Sequence, residues 1–154
     1  MSETANYMNS ITQGVYVIGT KKDSTYNLMT AAWLTQISAR PNQIAVAISS
    51  GHLTAELIKE QKYFSISILE SGQKQIAKIC GTQSGRTVDK SKLVPYRLNS
   101  QGLPVISGSA AQLACKAVQC IDTGDHILVL AEVTGGKVLS DKVLIYDAET
   151  YFPS

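Results

Sequence analysis

The chain has 154 residues, of which 44% are hydrophobic and 17% are charged, and its formal net charge is +2. This length suits one domain, residues 1–154, which can bury about two-thirds of its unfolded surface. The basic residues are scattered, which argues against a nucleic-acid interface. No apolar run approaches the roughly 20 residues that a membrane-spanning helix needs. The low charge content favours association with another protein surface.

Three cysteines, Cys80, Cys115 and Cys120, argue against a disulfide framework. The N-terminus lacks the basic and apolar regions of an export signal, so we expect a reducing, cytoplasmic location. Cys115 and Cys120 are five residues apart, which would place them on opposite faces of one strand. A metal site would need ligands that only the fold could unite, so we predict none and interpret the cysteines as small apolar core residues.

The first third of the chain predicts three strands. A buried strand over 15–20 and a polar turn at 21–24 lead to a second strand from about Thr30 to Ala39, which indicates a hairpin. Pro41 ends the second strand because it has no N–H to donate. The third strand, over 43–49, is apolar on both faces and is therefore predicted to be central.

The middle of the chain predicts two short helices around a strand. Thr54 is the predicted N-cap of the first helix, which ends near Lys62. The strand over 63–69 alternates in polarity, so one of its faces is predicted to be polar. The second helix is predicted from about Gly72 to Cys80, with Gly81 as its stop.

The last third predicts an irregular segment followed by a hairpin. Residues 81–104 have the character of a functional or disordered loop. Strands over 112–122 and 126–139 are joined by a tight turn at Gly124, and a short strand is predicted over 143–146. Several strands with two helices on their connections, and no βαβ pattern, favour a mainly β fold in the form of a closed antiparallel barrel.

The stretch from Asn27 to Ser38 is the first candidate site. Thr30, Ala31 and Ala32 are small, so a flat ligand could approach the backbone N–H groups beside Trp33. A tight contact between sheets would require the same small residues. His126 follows a predicted turn, where an imidazole can orient or protonate a substrate or can simply bond to the backbone.

A phosphate site is the second candidate. The glycine-rich nucleotide motifs are absent, so hydroxyl groups, a helix N-terminus and cationic side chains would have to bind the anion. Two groups of residues offer these features, and ordinary helix capping or a solvated loop would explain them equally well. The first group surrounds the start of the first helix and the second lies in the long loop: Ser49, Ser50, His52 and Thr54; Arg86 and Lys90.

Three segments together resemble the flavin reductase-like, FMN-binding split-barrel family. They are Asn27-Leu28-Met29-Thr30-Ala31-Ala32-Trp33, Ser84-Gly85-Arg86-Thr87-Val88-Asp89-Lys90 and Gly124-Asp125-His126, and the strand from Phe64 to Leu69 supports them. The resemblance covers about residues 14–146. It implies a six-stranded antiparallel split β-barrel with short helices on the connections. It also implies a homodimer that binds FMN, or sometimes FAD, at the barrel edge.

The resemblance implies a role for each candidate residue. Arg86 and Lys90 would neutralise the flavin phosphate, Asp89 would hold the loop, and His126 would be the catalytic residue beside the flavin or the incoming nicotinamide. Residues near the ribityl chain and phosphate would be Ser49, Ser50, His52 and Thr54. Residues lining the isoalloxazine ring would be Asn27, Met29, Thr30, Ala31, Ala32, Trp33 and Leu34.

The implied activity is that of an NAD(P)H-dependent flavin oxidoreductase. NAD(P)H would transfer a hydride to the flavin, and the electrons would pass to free flavin, iron, a monooxygenase partner or a redox protein. The alternative is a flavoredoxin-like FMN electron-transfer protein that exchanges electrons with a partner such as a rubredoxin and does not oxidise NAD(P)H directly. The absence of a strongly charged docking patch from the sequence favours the enzyme. A split barrel without any cofactor is the third interpretation.

Overall fold

The computed structural model describes residues 7–82, 86 and 88–147. A seven-stranded antiparallel sheet has the order β2-β1-β5-β8-β9-β4-β3, and a second sheet pairs β6 with β7. Helix α1 precedes β5, helix α2 follows it, and short 3-10 turns cover Tyr7–Ser10 and Lys90–Lys92. The bounds are β1 Tyr16–Lys22, β2 Thr25–Ala31, β3 Leu34–Ala39, β4 Asn42–Ser49, α1 Leu53–Gln61, β5 Tyr63–Ile68, α2 Lys74–Thr82, β6 Tyr96–Leu98, β7 Pro104–Ile106, β8 Ala111–Asp122 and β9 His126–Val138.

The fold is mainly β and antiparallel, as predicted. Six strands of the large sheet supply buried side chains to one core, which include Ile18, Met29, Val46, Phe64, Cys115 and Val129. Within the described ranges no ladder joins the edge strands β2 and β3, so the barrel is split there. The strand count exceeds the predicted six, because β3 is a separate edge strand and the β6–β7 hairpin forms within the segment predicted to be irregular.

The predicted strand from Thr30 to Ala39 is wrong, because two strands share this segment. β2 ends at Ala31 after pairing with β1, and β3 begins at Leu34 and pairs with β4. Between them, the carbonyls of Ala32 and Trp33 accept hydrogen bonds from Leu34 N and Ala47 N. The chain therefore passes from one edge of the sheet to the other at Ala32 and Trp33.

The polar face of β5 is buried, although its alternation is as predicted. Ser65 and Ser67 are 0% and 1% exposed. Ser65 Oγ donates to the Pro104 carbonyl at 2.5 Å, and Ile106 N donates to Ser67 Oγ at 2.9 Å. The two hydroxyl groups are therefore satisfied by the backbone of β7, and that strand covers them.

Helix α1 ends one residue before Lys62, but its start differs from the prediction. The N-cap is His52, and Thr54 lies inside the first turn. Helix α2 begins at Lys74 and includes Gly81, which is the predicted stop. A Cβ on Gly81 would lie 3.2 Å from Thr30 Cβ, so this glycine permits close packing of α2 on β2.

The β8–β9 hairpin is confirmed, with Gly124 at a φ of 120° in its turn. The predicted opposite orientation of Cys115 and Cys120 is wrong. Pairing shifts between Ala117 and Gln119, so the extra residue changes which face the following side chains occupy. Both cysteines consequently pack on the barrel core. Residues 143–146 form only isolated bridges, Gly14 to Ile145 and Glu70 to Val143, and no strand.

Candidate functional site

A cavity of about 210 Å³ lies where β2, β4, β9 and the start of α1 meet. We call it the Trp33 cavity. The side chains that line it are mostly small or aromatic, and the backbone of the β2–β3 junction forms one wall. The lining residues are Met29, Thr30, Ala31, Ala32, Trp33, Ala47, Ile48, Ser49, His52, Gly81, His126 and Tyr146.

The strand register brings Trp33 and His126 together. Ser49 at the end of β4 pairs with His126 at the start of β9, and Ala47 N donates to the Trp33 carbonyl at 2.9 Å. The indole of Trp33 stacks on the imidazole of His126, with ring centroids 4.4 Å apart and planes inclined by 30°. Trp33 is 51% exposed, so this stack forms one open side of the cavity.

Asp125 orients His126 and links the hairpin turn to α1. His126 Nδ1 lies 2.7 Å from Asp125 Oδ1, and this contact holds the pKa of the Asp125 carboxyl below its usual range. The Asp125 carbonyl accepts from Ser50 N and Ser50 Oγ, at 3.0 and 3.1 Å. A carboxylate beside Nδ1 favours the proton on that nitrogen, which leaves Nε2 as the acceptor of the neutral ring.

His52 is the N-cap of α1, but its side chain makes no capping hydrogen bond. Its Nδ1 lies 3.0 Å from Met29 Sδ on β2. Burial, followed by the positive charge of Lys90, lowers the pKa of His52 below 6.5. The imidazole is therefore neutral at pH 7, and the first-turn amides of α1 receive no hydrogen bond from the N-cap side chain.

A second cavity of about 520 Å³ also adjoins the first half of α1, through Leu53 and Leu57. We call it the Arg86 cavity. Arg86 Nη2 donates to Glu56 Oε1 and, at 3.4 Å, to the Gly51 carbonyl. The Arg86 guanidinium lowers the pKa of the Glu56 carboxyl. The lining residues are Lys22, Thr25, Tyr26, Asn27, Leu53, Leu57, Arg86, Val88 and Asp89.

The loop residues differ in what they contact. Asp89 Oδ1 accepts from Ser91 N at 3.1 Å and so caps the short turn that begins at Lys90. Lys90 is only 4% exposed, and its Nζ donates to the Cys80 carbonyl at 2.7 Å. Burial lowers the pKa of Lys90. In this structure Lys90 lines neither cavity and fastens the loop to α2, which differs from the predicted contact with phosphate.

Four other predicted residues use their side chains in packing or in hydrogen bonds to other elements. Asn27 lines the Arg86 cavity and not the Trp33 cavity, and its Nδ2 donates to Thr20 Oγ1 at 3.1 Å and to Thr54 Oγ1 at 2.8 Å. Leu34 packs on the barrel core. Ser50 lines neither cavity. The Thr30 hydroxyl donates to the Ala77 carbonyl, and Thr30 thus joins β2 to α2.

Sequence reasoning missed four residues that line the Trp33 cavity. Ala47 and Ile48 belong to a strand whose only local signal is its apolar character, and Gly81 has the local signal of a helix stop. Tyr146 lies far along the chain, and its N–H donates to the Gln13 carbonyl at 2.8 Å. No local pattern marks any of these residues as part of a site, because tertiary packing alone brings them to the cavity.

Two other classes of site are not found. Over residues 7–82, 86 and 88–147, no group of three or more His, Cys, Asp or Glu side chains could hold a metal ion. In the same part of the chain, no helix has both the length and the apolar character that crossing a membrane requires.

Comparisons with known proteins bear on these cavities. The family model of the flavin reductase like domain matches residues 8–154. The high molecular weight rubredoxin of Moorella thermoacetica is 34% identical over 135 residues, which are 86% of this chain. This chain spans 58% of that rubredoxin's length, and about a quarter of the length of several other curated relatives.

Two solved structures share the fold over most of their length. An FMN-binding protein from Thermus thermophilus, with bound 1-cyclohex-2-enone, has a TM-score of 0.86 and 25% identity, and the match covers 97% of this chain and 90% of that chain. The NADH:FAD oxidoreductase SgcE6 of Streptomyces globisporus has a TM-score of 0.78 and 26% identity, and the match covers 84% of this chain and 77% of that chain. The split-barrel prediction is thereby confirmed.

Proposed function

Because this chain belongs to the flavin reductase like domain family, we propose that it is an FMN-dependent oxidoreductase that accepts hydride from NAD(P)H and passes electrons to a separate acceptor. The observation that carries this proposal is the pair of cavities at the start of α1, one aromatic and one cationic. FMN combines a flat ring with a terminal phosphate. The two cavities offer one matching environment to each end of that molecule.

The Trp33 cavity suits the flat ring. Ala31, Ala32 and Ala47 line it with small side chains, and Trp33 and His126 add aromatic faces. At about 210 Å³ it is smaller than the roughly 300–1,000 Å³ of typical small-molecule sites. We infer that it accommodates one ring system and that the rest of the cofactor extends past His52 toward the Arg86 cavity.

The Arg86 cavity suits the phosphate. A nine-residue helix presents first-turn amides that its N-cap side chain leaves without a capping bond. Such a terminus favours an anion through both its N–H groups and its dipole. Arg86 contacts the Gly51 carbonyl immediately before this helix. A guanidinium beside a helix N-terminus is well suited to a phosphate, because it can donate two parallel hydrogen bonds.

His126 is the residue that we propose to act on the reaction. A bound flavin supplies the hydride chemistry, and the protein supplies orientation and electrostatics. Asp125 and Trp33 fix the imidazole of His126 at one side of the cavity. A fixed ring can position a second reactant, and good positioning alone accounts for large rate effects. His126 therefore needs no partner acid or base to contribute.

An anaerobic titration of the FMN-loaded protein with NADH, and separately with NADPH, tests the proposal. We expect the blue absorbance of oxidised flavin to bleach rapidly with one of the two donors. A band that persists with both donors but bleaches with dithionite would contradict the NAD(P)H-dependent activity. Protein that binds neither FMN nor FAD would contradict the cofactor assignment as well.

The second candidate function is flavoredoxin-like electron transfer with a redox protein. It draws support from the similarity to a high molecular weight rubredoxin, because this chain corresponds to only part of that protein. In this case the flavin would remain bound and NAD(P)H would be a poor donor. Reduction by a reduced rubredoxin or ferredoxin, without reduction by NADH, would favour this function over the reductase.

We also propose that the protein is a homodimer. Large apolar side chains at the end of β9 and after it are exposed, including Val138 at 79%, Leu139 at 54% and Ile145 at 52%. Exposed apolar patches commonly mark a subunit interface. Sedimentation analysis should give twice the 16.6 kDa chain mass, and a monomer at micromolar concentration would refute the dimer.

A further inference from the structure

A third cavity lies between the β6–β7 hairpin and the β8–β9 hairpin. It has a volume of about 440 Å³, which falls within the roughly 300–1,000 Å³ of typical small-molecule sites. One wall is formed by residues 97–100 and Val105, and the other by residues 112–114 of β8 and 135–137 of β9. We call it the Lys137 cavity. It has room for a small molecule of its own.

Strand register explains where this cavity forms. Gln112 of β8 pairs with Ser67 of β5 on one side and with Lys137 of β9 on the other. Directly paired residues of an antiparallel sheet point to the same face, so these three side chains share one face. At β5 this face is covered by β7, because Ile106 N donates to Ser67 Oγ at 2.9 Å. The cavity is the part of the same face, at β8 and β9, that the β6–β7 hairpin borders but does not fill.

The Lys137 cavity is separate from the proposed flavin site. It shares no lining residue with the Trp33 cavity or the Arg86 cavity. Lys137 lies eleven residues after His126 on the same strand, a separation of about 35 Å along an extended chain. A small ligand bound here would not reach a ring in the Trp33 cavity, so the two cavities require different ligands.

Cations line the Lys137 cavity and acids do not. Arg97 of β6 and Lys137 of β9 are both exposed and belong to opposite walls. Among the described residues, no acidic side chain lines the cavity, and neither of these two cations forms an ion pair. Two cations whose charges are not offset by a carboxylate attract an anion.

The uncharged polar groups of the cavity include further donors. Asn99 Oδ1 accepts hydrogen bonds from Gln101 N at 2.9 Å and from Leu103 N at 3.0 Å. These bonds fix the amide so that its Nδ2 is the group left to bind a ligand, and Nδ2 is a donor. Ser100 adds a hydroxyl group. Together with the two cations, these groups favour a ligand whose own polar atoms are acceptors.

Two adjacent glycines give the cavity a flat wall. A Cβ on Gly136 would lie 2.7 Å from the Gln112 carbonyl oxygen, so the close approach of β8 requires this glycine. A Cβ on Gly135 would have no neighbour within 4 Å, and Gly135 shares a face with Lys137, two residues later. A flat ligand can therefore approach the backbone at Gly135, and Val105 adds apolar surface.

We propose that the Lys137 cavity binds a small organic anion that consists of a flat ring with one or two acidic groups. Arg97 would bind a carboxylate or a phosphate ester through two parallel hydrogen bonds, and Lys137 would supply a second positive charge. The ring would lie against Gly135. This site goes beyond the proposed function, because it requires neither flavin nor NAD(P)H.

Three aromatic probes of graded charge test the chemistry of the site. Isophthalate, benzoate and benzamide share a benzene ring and carry two, one and no negative charges. We expect isophthalate to bind flavin-free protein about tenfold more tightly than benzamide, as isothermal titration measures. Added salt should weaken isophthalate binding, because it screens exposed cations. Equal affinities for the three probes, or no binding of isophthalate, would overturn the proposal.

The backbone amide signals of Gly135 and Gly136 locate the bound probe. In a proton–nitrogen correlation spectrum, we expect isophthalate to shift these two signals and to leave that of His126 unchanged. Phenyl phosphate in the same titration distinguishes the two kinds of acid, and the tighter of the two probes identifies the group that the site prefers. Shifts confined to residues of the Arg86 cavity would overturn the location.

The variants Arg97→Gln and Lys137→Gln remove the two cations one at a time. Each should weaken isophthalate binding about tenfold, whereas benzamide affinity should stay within about twofold. Lys116→Gln makes the same change at an exposed position of β8 outside the cavity and should alter neither affinity. Unchanged isophthalate binding in either cavity variant would overturn the proposal.

The variant Gly135→Leu fills the cavity without changing its charge. Because a Cβ at this position meets no atom within 4 Å, the variant should unfold at nearly the same urea concentration as the wild type. Isophthalate should bind at least about tenfold more weakly, since the leucine side chain occupies the place of the ring. Gly135→Ala adds a single carbon and should have a smaller effect. Wild-type affinity in Gly135→Leu would overturn the position of the ring.

Two comparisons separate this proposal from those on the dimer and the flavin. Lys137 precedes Val138 and Leu139, which lie in the proposed dimer interface. If Lys137→Gln alters sedimentation and no probe shifts the Gly135 signal, a second copy fills the cavity and the proposal is wrong. Protein that binds isophthalate but rejects FMN would keep this site and remove the proposed function. Protein that is reduced by NADH but binds no isophthalate would do the reverse.

Discussion

The Trp33 cavity and the Arg86 cavity both adjoin the start of α1, yet they are built in different ways. The walls of the Trp33 cavity come largely from strands whose register fixes them, as the pairing of Ser49 with His126 illustrates. The Arg86 cavity is more than twice as large, and its guanidinium is held by an ion pair on the protein surface. One cavity depends on sheet geometry, whereas the guanidinium of the other comes from a loop.

This contrast indicates how a protein can recognise the two ends of an elongated ligand separately. A rigid ring requires walls at fixed spacing, which paired strands provide. A phosphate at the end of a flexible chain requires positive charge and N–H donors, and it tolerates a less exact arrangement of these protein groups. Riboflavin and FMN share the ring and the ribityl chain and differ in the phosphate. Comparing the affinities of these two ligands therefore tests each cavity by itself.

The largest effect should come from Asn27, which lines the Arg86 cavity and joins β2 to β1 and to α1. Its Nδ2 donates to Thr20 on β1 and to Thr54 on α1, and Asn27 and Thr54 are buried. Asn27→Leu keeps the approximate size of the side chain but leaves the threonine hydroxyls without their donor. We expect the free energy of unfolding to fall by about 2–3 kcal/mol, as measured by urea denaturation.

Asn42→Leu is the matched control for Asn27→Leu, because Asn42 is exposed at the start of β4. It should change the free energy of unfolding by less than about 0.5 kcal/mol. Similar losses in both variants would mean that the buried hydrogen bonds of Asn27 contribute little. In that case β2 and α1 would be held together by apolar packing alone.

The variant Arg86→Gln should weaken only the binding of the FMN phosphate. Loss of the guanidinium removes a charge-assisted hydrogen-bond donor from the Arg86 cavity, so we expect FMN to bind about tenfold more weakly. Riboflavin affinity should stay within about twofold. Quenching of flavin fluorescence measures both affinities. Arg97→Gln, on exposed β6, is the control, and an equal loss for FMN and riboflavin would refute the division between the cavities.

Local sequence patterns predict those parts of the fold that depend on near neighbours. The β8–β9 hairpin follows from a glycine turn between two β-favouring runs, and β4 from its apolar character. The Trp33 cavity is partly predictable, because Ala31, Ala32 and Trp33 are consecutive and His126 follows a turn. Each of these patterns lies within one contiguous stretch of the chain.

The errors arise where distant segments meet. Ser65 and Ser67 form the polar face of β5, but β7, almost 40 residues later in the chain, covers them. A bulge in β8 reverses the predicted orientation of Cys120 relative to Cys115, and no residue type marks the bulge. The Lys90 ammonium contacts the Cys80 carbonyl of α2, a partner that the loop sequence does not reveal. A single sequence without known pairing cannot report these contacts.

The variant His126→Ala should slow the transfer of hydride to the flavin ring. It removes the imidazole that Asp125 and Trp33 hold in place, and we expect hydride transfer to slow about tenfold through lost positioning. FMN should remain bound. Anaerobic stopped-flow reduction by NADH measures the rate. His126→Phe keeps an aromatic ring against Trp33, so a normal rate in that variant would assign His126 a stacking role and no polar one.

The variant Trp33→Leu should weaken the binding of the ring itself. Because the indole lines the cavity that we assign to the flavin ring, its loss should lower the affinities for FMN and riboflavin by the same factor, about fivefold. Isothermal titration of both ligands measures this factor. Ile37→Ala removes another exposed apolar side chain from the neighbouring strand β3 and should leave both affinities unchanged. A loss confined to FMN would place the phosphate, and not the ring, beside Trp33.

The smallest effect should be the pH dependence contributed by His52, which lies between the two cavities. Burial and nearby cations lower its pKa in the folded protein below 6.5, whereas the unfolded chain keeps the ordinary value. Between these two pKa values the unfolded state binds more protons, so acidification favours unfolding. The free energy of unfolding should therefore decrease as the pH falls through 6.5, and the contribution of His52 to this slope should vanish well above that pH. In His52→Gln the slope should be shallower while stability at alkaline pH changes little, as urea denaturation at a series of pH values measures. Identical slopes in both proteins would mean that His52 protonates freely, and that its contact with Met29 Sδ does not require the neutral ring.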